Sequence, residues 1–391
     1  MKKKILIVNT SSFPNIGGVE NSLNFIAIEF IKKGYQTEVV SFSNKIEEVS
    51  SIENNGVKYE IYPLKTNSLD RVWNRYSIYK KAKVVLKNKL KNNEYEKILS
   101  RSTLLSYLLL KEGGEVNTIF PTTANLNYLG LNDSKKSSNR KAATLNKLKL
   151  KLDYLIMSYI ENKIVSSRFN RSIVFSNLMK SELIKSYKSK SVDVIPPGID
   201  NDLYSTRNLE KTHDRNYFIY VGRLSVAKNI YEMIDEYINS GVKAELKIVG
   251  DGVERQRLEE YLHKNDTFKV ISLIGSKSAK ELPELYHGAI ATILPTRVET
   301  FGQVIIESMA MGTPVIAYSS FAEETKNAVS EIIHSKELGY VINEYKNGEL
   351  SKMIKKVFEN HKQFNNLNCI RETEKYSWEC FVTKLMENET N

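Results

Sequence analysis

The stretch Thr296–Pro314, TRVETFGQVIIESMAMGTP, decides the fold expected of this chain. It follows an apolar strand that ends at Leu294-Pro295, and its pattern predicts a short loop and a helix beginning near Gly302. Strand, loop and helix in this order are the repeating unit of a parallel α/β sheet. The helix N-terminus suits a phosphate or a sugar hydroxyl, with Glu299 placed to accept hydrogen bonds from a sugar and Glu307 from a ribose diol. The alternative is an ordinary helix with an acidic residue near its N-terminus and an exposed glutamate.

The same alternation of strand and helix extends through the whole chain. In the first half the predicted strands are Lys4–Val8, Thr37–Phe42, Val57–Tyr62, Lys97–Ser100, Thr118–Phe120, Ser172–Phe175 and Val192–Ile195. After Asn216 they are Tyr217–Val221, Glu245–Val249, Lys269–Leu273, Ile290–Leu294, Pro314–Ala317 and Tyr340–Ile342. Such alternation predicts doubly wound parallel sheets. The rigid Pro196-Pro197-Gly198 separates the two series, so we expect two α/β domains, at residues 1–197 and 198–372.

The composition is that of a globular protein, with 41% hydrophobic and 26% charged residues. No apolar run approaches the ~20 residues that span a bilayer. The polar Asn9–Ser12 follows the first strand too closely for a signal peptide. The two cysteines, Cys369 and Cys380, form neither a disulfide framework nor a zinc site. We therefore expect a cytoplasmic protein, or one held peripherally at the inner face of the cell membrane.

The net charge of +11 is distributed unevenly. Residues 1–200 carry 33 Lys or Arg against 18 Asp or Glu, whereas the remainder carries 24 against 28. A basic first half favours an anionic surface or substrate. No DNA- or RNA-binding motif accompanies this charge, so nucleic acid is not an expected partner.

The segment Arg71–Lys91 concentrates this charge, with eight basic residues, no acid and interleaved aromatic residues. That composition is typical of a helix lying on anionic lipid headgroups. The residues expected at the membrane are Trp73, Tyr76, Lys80, Lys81, Lys83 and Lys87. A solvated helix face over the sheet is the equal alternative.

Two cations follow the first predicted strand of the second half, in Tyr220–Ile230, YVGRLSVAKNI. Arg223 and Lys228 should project near the end of that strand, where arginine forks to the oxygens of a diphosphate and lysine acts as a point charge. Between the first strand and the first helix, Gly17-Gly18 lets the backbone approach an anion closely. Alone, each feature also occurs in solvated loops and tight turns.

Together these segments resemble the family-4 retaining glycosyltransferases of the GT-B fold over nearly the whole chain. The resemblance rests on an ordered set: Gly17-Gly18, Val194–Asp200, Gly222–Leu224 with Lys228, Val249–Gly252, Leu273–Gly275, Glu299, Glu307 and Tyr376–Glu379. It implies two Rossmann-like domains facing a cleft, with the acceptor side at 1–197 and nucleotide-sugar donor binding at 198–372. It also implies a last helix within residues 373–391 that packs back on the first domain.

The resemblance further implies roles for individual residues. The backbone of Gly17 and Gly18, with Arg223 and Lys228, would neutralise the donor diphosphate, and Glu299 would contact the donor sugar. The backbone of Phe301, Gly302, Gln303 and Val304 would bind sugar and phosphate oxygens, Glu307 the ribose, and the backbone near Ile274 and Gly275 the base. The reaction would be retaining and free of cofactors, from a UDP- or GDP-sugar to a saccharide or lipid-linked acceptor. Its product would enter polysaccharide, lipopolysaccharide or glycolipid biosynthesis.

The sequence departs from the family's pattern at one place. A histidine usually follows the strand that corresponds to Thr118–Phe120, whereas this chain continues with PTTAN and has all five histidines at position 213 or later. A hydroxyl or an amide donates hydrogen bonds to a sugar but is not a base at neutral pH. Either that role is dispensable, or Thr122, Thr123 or Asn125 supports the acceptor differently, or the enzyme is inactive.

No metal site is expected. The Asp200-Asn201-Asp202 pattern falls at the hinge, and the histidines lack the spacing of metal ligands. Two other functions stay open: a nucleotide-sugar epimerase of the same architecture, and a non-catalytic donor-binding partner of another transferase. The sequence does not fix the base, the sugar, the acceptor, the linkage or the oligomeric state.

Overall fold

A computed structural model describes residues 3–14, 18–64, 71–133, 140–188, 191–205, 215–320 and 325–387. The chain divides into two compact units. The first unit comprises Met1–Gly198 and Trp378–Asn391, and the second comprises Ile199–Ser377. Each unit has a largely parallel sheet with helices between its strands, as the alternation of the sequence predicts.

The first unit is built on one eight-stranded sheet. Its strands are β1 (Lys4–Val8), β2 (Gln36–Ser43), β3 (Ser50–Asn54), β4 (Val57–Pro63), β5 (Lys97–Ser100), β6 (Val116–Phe120), β7 (Asn170–Val174) and β8 (Asp193–Val194). Their order is β3-β4-β2-β1-β5-β6-β7-β8, and β3 pairs antiparallel with β4 while the other pairs are parallel. The order reverses between β1 and β5, which is where open α/β sheets bind ligands.

The helices of the first unit are α1 (Gly18–Lys32), α2 (Arg71–Asn92), α3 (Thr103–Lys111), α4 (Ala124–Asp133), α5 (Arg140–Val165), α6 (Asn177–Tyr187) and α14 (Trp378–Met386). One face of the sheet packs on α2 and α3, where Leu6 and Val8 meet Leu86 and Leu105 in a buried apolar cluster. On α14, Trp378 stacks on Phe25 of α1 with ring centroids 6.2 Å apart.

The second unit is built on a six-stranded sheet and one small two-stranded sheet. Its strands are β9 (Tyr217–Val221), β10 (Glu245–Val249), β11 (Ile271–Gly275), β12 (Ala289–Leu294), β13 (Val298–Glu299), β14 (Val315–Tyr318), β15 (Lys326–Asn327) and β16 (Gly339–Ile342). Its helices are α7 (Ile230–Ser240), α8 (Arg255–Asn265), α9 (Leu282–His287), α10 (Gln303–Ala310), α11 (Val329–Ile332), α12 (Glu349–Asn360) and α13 (Asn366–Thr373). The order β11-β10-β9-β12-β14-β16 reverses between β9 and β12.

Two predicted boundaries need correction. The returning segment was expected from residue 373, but the chain stays with the second unit up to Ser377 because Tyr376 packs on Phe301 with ring centroids 5.8 Å apart. The strand predicted at Lys269–Leu273 lies two residues later, as β11. Lys269 has a φ of 50°, a left-handed conformation that does not continue a strand.

Candidate functional site

Two glycine loops at the ends of β9 and β10 lie backbone against backbone. The Gly222 N–H donates to Val249 O at 3.0 Å, and the Leu224 N–H donates to Asp251 O at 2.9 Å. A Cβ at Gly250, whose φ is 138°, would lie 1.9 Å from the carbonyl oxygen of Gly222. Only glycine permits this approach. The contact fixes the turn that carries the exposed Arg223 beyond the end of β9.

Lys228 closes a short 3-10 turn after this loop. The next residue, Asn229, has a φ of 60° and donates from its amide to Glu232 Oε2 at 3.0 Å and to Pro295 O at 3.3 Å. These bonds tie the turn to the end of β12. Lys228 Nζ then reaches Glu299 Oε2 at 3.1 Å. The structure thus brings together two of the predicted donor-side residues.

Glu299 is held at the approach to α10. It ends β13, its carbonyl accepts the Ala328 N–H at 2.9 Å, and its side chain is 16% exposed. Gly302 precedes α10 with a φ of 91°, and a Cβ there would lie 2.7 Å from Ile305 Cδ1. The turn therefore needs glycine. It leaves the carboxylate of Glu299 near the N-terminal end of a helix, where the helix dipole attracts anions.

Two further polar groups lie around Glu299. Asn327 is in register with Glu299 across β13 and β15, and its amide nitrogen is buried without a hydrogen-bond partner. The hydroxyl of Thr296 is buried and unpartnered in the same way. Buried polar groups are normally satisfied, so each is a candidate to contact a bound sugar. The sequence prediction did not include either residue.

Glu307 lies on α10 and accepts a hydrogen bond from the Tyr286 hydroxyl at 3.1 Å. Burial raises the pKa of Glu307 to about 7, against hydrogen bonds from Tyr286 and Tyr204 that favour the ionised form. Glu307, which is predicted to bind the ribose, therefore already contacts two tyrosine hydroxyls. A carboxylate has about four acceptor positions, so a ribose diol would share it with the tyrosines.

The remaining donor-side predictions fall in three places. Gly275 ends β11 with a φ of 78° next to Ile274, and its carbonyl accepts the Gly250 N–H at 2.9 Å. Phe301 is buried, and Gln303 and Val304 form the first turn of α10. In the first unit, Gly18 begins α1 and is exposed, whereas Gly17 lies outside the described residues.

The first unit has its own cavity of about 470 Å³ at the ends of β1, β5 and β6. Thr122 is one of its lining residues. Thr123 instead caps α4, with its hydroxyl accepting the Leu126 N–H at 3.2 Å, and the amide of Asn125 donates to Glu182 at 3.4 Å. Of the three proposed replacements for the missing histidine, only Thr122 lines the cavity.

The cavity also contains charged groups that the sequence did not indicate. Arg75 of α2 forms an ion pair with Asp153 of α5. Both carboxylate oxygens of Glu161 accept the Ala124 N–H at 3.0 Å, and its Oε2 also accepts the Tyr187 hydroxyl at 2.7 Å. Burial raises the pKa of Glu161 to about 7. Arg101, directly after β5, lines the same space.

The predicted membrane residues lie on α2. Lys80, Lys81, Lys83 and Lys87 are exposed, and Tyr76 is 57% exposed. The Trp73 side chain lies outside the described residues. No helix within the described residues is long and apolar enough to cross a membrane.

The Asp200-Asn201-Asp202 pattern forms a turn. Asp200 Oδ1 accepts the N–H groups of Asp202 at 3.1 Å and Leu203 at 3.2 Å. Across the described parts of the chain, no group of three or more His, Cys, Asp or Glu side chains is placed to hold a metal ion.

The sequence of the second unit matches a known family. Residues 205–373 match the profile of the family described as Glycosyl transferases group 1. An uncharacterized glycosyltransferase of Methanocaldococcus jannaschii is 28% identical over 155 residues, which cover 40% of this chain and 42% of that protein. The chain thus aligns with less than half the length of the curated relatives it matches.

Solved structures extend the likeness to nearly the whole chain. Sucrose-phosphate synthase from Thermosynechococcus elongatus gives a TM-score of 0.78 at 17% identity, covering 98% of this chain and 97% of that chain. The Anabaena protein HepE, solved in complex with UDP and glucose, gives a TM-score of 0.68 at 15% identity, covering 98% of both chains. Likeness at such identities establishes the fold, and the predicted GT-B fold is confirmed.

Proposed function

Because residues 205–373 match the glycosyl transferases of group 1 and the chain has the GT-B fold, we propose that it transfers a sugar from a nucleoside-diphosphate donor to a saccharide or lipid-linked acceptor. The observation that carries this proposal is the Lys228–Glu299 pair beside the N-terminal end of α10. We assign the donor to the UDP- or GDP-linked class, which the complex of HepE with UDP and glucose supports.

Each group of this site has a part in donor binding. Lys228 and the exposed Arg223 neutralise the diphosphate, and arginine suits this role because its planar fork matches two phosphate oxygens. Glu299 accepts hydrogen bonds from the sugar hydroxyls, and Glu307 accepts them from the ribose. The Lys228–Glu299 contact aligns both side chains before the donor arrives, which lowers the entropic cost of binding.

The proposed reaction retains the anomeric configuration, as in family 4. An acceptor hydroxyl attacks the anomeric carbon on the face from which the diphosphate departs. The new C–O bond forms as the bond to the β-phosphate breaks, and the electron pair of that bond stays with the phosphate. The acceptor proton passes to an oxygen of the leaving phosphate. Arg223 and Lys228 stabilise the negative charge that develops there.

Glu299→Gln tests the site because it removes the charge and keeps the shape. We expect turnover to fall ~10²-fold, since one preorganised polar contact to a reacting group contributes about 2.7 kcal/mol or more. The matched control is Glu281→Gln, which removes the partner of Lys277 from an exposed ion pair of the same 3.1 Å length. Equal rates in both variants would show that Glu299 does not take part in the reaction.

Product analysis with radiolabelled nucleotide sugars separates transfer from epimerisation and from binding without turnover.

We propose that the reaction needs no divalent cation. Two cations and a helix N-terminus supply the positive charge that Mg²⁺ provides in other phosphate sites. Activity should survive EDTA with less than a twofold change. A strict requirement for Mg²⁺ or Mn²⁺ in the same assay would contradict the proposed role of Arg223 and Lys228.

We also propose that the first unit docks on anionic lipid, which would bring it to a lipid-linked acceptor. On α2, the exposed Tyr76, Lys80, Lys83 and Lys87 lie three or four residues apart and therefore share one side of the helix. On α5, five large apolar side chains at the same spacing are exposed: Leu148, Leu152, Leu155, Ile156 and Tyr159. An apolar stripe with basic neighbours is typical of helices at a membrane interface.

The acids of α5 do not oppose this docking. Its sequence has two, of which Asp153 pairs with Arg75 and Glu161 is buried at the start of α4. Co-sedimentation should show binding to phosphatidylglycerol vesicles and not to phosphatidylcholine vesicles. The combined substitutions Lys80→Glu, Lys81→Glu, Lys83→Glu and Lys87→Glu should abolish this binding and leave donor affinity unchanged, since each cation contributes about 1 kcal/mol. Equal binding to both vesicles would contradict the proposal.

A further inference from the structure

Arg101 is a cation that the proposed transfer reaction does not use. It follows β5 directly, its Nη1 donates to the hydroxyl of Ser22, and its guanidinium lies 5.1 Å from the ring centroid of Phe175. Its Nε is buried without a hydrogen-bond partner. Among the described residues, no carboxylate forms an ion pair with it. Burial lowers the pKa of Arg101 to about 10, while the carboxylate of Glu20 acts in the opposite direction.

The other charges around the cavity have partners. Arg75 is paired with Asp153, and Glu161 accepts hydrogen bonds from Ala124 and Tyr187. Glu20 faces the same space without approaching Arg101 to ion-pair distance. A buried charge without a counter-ion costs free energy, so proteins seldom keep one that binds nothing. Arg101 therefore has capacity for an anion that its own unit does not fill.

The rest of the cavity suits a sugar. The rings of Tyr128 and Tyr154 line it with their centroids 5.1 Å apart, and Asn9, Thr122 and Asn127 add polar groups. A volume of about 470 Å³ lies within the range of small-molecule sites. Its position between β1 and β5 is the reversal point of the sheet, where α/β units bind ligands.

We propose that this cavity binds the acceptor and that Arg101 holds an anionic group on it, either a phosphate ester or a carboxylate. The proposal rests on the transfer function, because it assigns to the acceptor a cavity in the first unit, whereas Arg223, Lys228 and Glu299 belong to the second. Beside the Nη1 that donates to Ser22, the guanidinium has a second amino group that can donate to an oxygen of either anion, and its positive charge strengthens that bond.

Calorimetry on the full chain measures its affinity for three sets of sugars. Hexose 6-phosphates and hexuronates are the two anionic sets, and the corresponding neutral hexoses are the third. We expect one anionic set to contain a ligand bound at least tenfold more tightly than its neutral counterpart, because a charge-assisted hydrogen bond is stronger than a neutral one. The anionic set that binds shows whether the group held by Arg101 is a phosphate ester or a carboxylate.

Arg101→Gln should remove that preference, and Arg101→Lys should retain part of it because it keeps the charge without the planar guanidinium. The matched control is Arg168→Gln, since Arg168 is exposed and its guanidinium lies 4.7 Å from the ring centroid of Phe169. The thermal stability of ligand-free Arg101→Gln should be no lower than that of the wild type. A purely structural arginine would instead lower it.

Four results overturn the proposal. The first three are no affinity for any anionic sugar, equal affinity for neutral and anionic sugars, and an unchanged preference in Arg101→Gln. The fourth is loss of UDP affinity in Arg101→Gln, which would assign the cation to the donor instead. A failure of the transfer function is distinguishable. In that case the chain binds the anionic sugar through Arg101 but neither binds nor turns over any nucleotide sugar.

Discussion

The two units position their charged residues in different ways. In the second unit, Lys228 ends a 3-10 turn and Glu299 ends the two-residue strand β13, and backbone contacts and glycines at the strand ends fix the chain around them. In the first unit, side-chain contacts position the charges: Arg101 contacts Ser22 and Phe175, and Arg75 of α2 pairs with Asp153 of α5. The second site should therefore respond most to changes of backbone geometry, and the first to changes of single side chains.

Gly250→Ala should have the largest effect. Its Cβ would lie 1.9 Å from the backbone oxygen of Gly222, and a φ of 138° is unfavourable for alanine. Because backbone cannot move aside as a side chain does, we expect a loss of about 3 kcal/mol or more in the free energy of unfolding. Urea unfolding followed by circular dichroism measures it.

The control for this variant is Gly348→Ala in the same unit. Gly348 has a φ of 88° but nothing within 4 Å of an added Cβ. It should cost about 1–2 kcal/mol, the penalty of the left-handed conformation alone. Equal losses in the two variants would show that the contact between the loops does not hold the site.

Arg223→Ala should lower turnover ~10²-fold and leave the fold intact. The side chain is exposed, so its removal leaves no cavity and no buried unpaired group. The expected loss in transition-state stabilisation is about 2.7 kcal/mol, measured as kcat/KM. If Arg223→Ala lost as much stability as Gly250→Ala, Arg223 would be a residue that maintains the loop and not one that binds the donor.

Most of the second-unit site was predictable because its residues follow their strands directly. Gly222 and Arg223 come immediately after β9, and Glu299 comes shortly after β12. Strand ends on one edge of a parallel sheet lie close together, so sequence order alone places these side chains. Their assigned roles in donor binding stay predictions.

The first unit was less predictable because its cavity depends on pairings between distant helices. Arg101 is the first residue after β5, as Arg223 is the second after β9, but no glycine motif marks it. The burial of Glu161 and its contact with Ala124, 37 residues away, has no sequence signature.

Two local signals in the first unit were present and were not used. Thr123 directly precedes α4, which is typical of an N-cap and agrees with its hydrogen bond to Leu126. Asn55-Gly56 predicts a tight hairpin turn, and both residues have positive φ, at 51° and 76°, between β3 and β4. This turn makes β3 predictable, although the predicted strands do not include it.

One buried glutamate in each unit, Glu161 and Glu307, should make the stability of that unit depend on pH. Burial raises the pKa of Glu161 and that of Glu307 to about 7, from an ordinary value near 4.5. The folded state then binds more protons than the unfolded state between these values. The stabilising contribution is complete below about pH 4.5 and is lost as the pH rises to about 7.

Glu161→Gln should flatten this dependence in the first unit. Between pH 5 and pH 8, the free energy of unfolding of the first unit should fall by on the order of 1 kcal/mol more in the wild type than in the variant. Both tryptophans, Trp73 and Trp378, belong to the first unit, so their fluorescence during urea unfolding reports on it alone. Glu307→Gln should leave the fluorescence-detected dependence unchanged. An identical slope in wild type and Glu161→Gln would contradict the raised pKa.

The smallest expected effect is the contribution of the Lys228–Glu299 pair to stability. Lys228 is 35% exposed, so solvent screens its attraction to the carboxylate. A double-mutant cycle of Lys228→Met and Glu299→Gln should give a coupling energy below about 1 kcal/mol in unfolding, similar to the cycle of Lys277→Met and Glu281→Gln. In turnover, only the first cycle should show large effects. A coupling of several kcal/mol in unfolding would mean that the pair mainly stabilises the second unit, which would contradict its proposed role in donor binding.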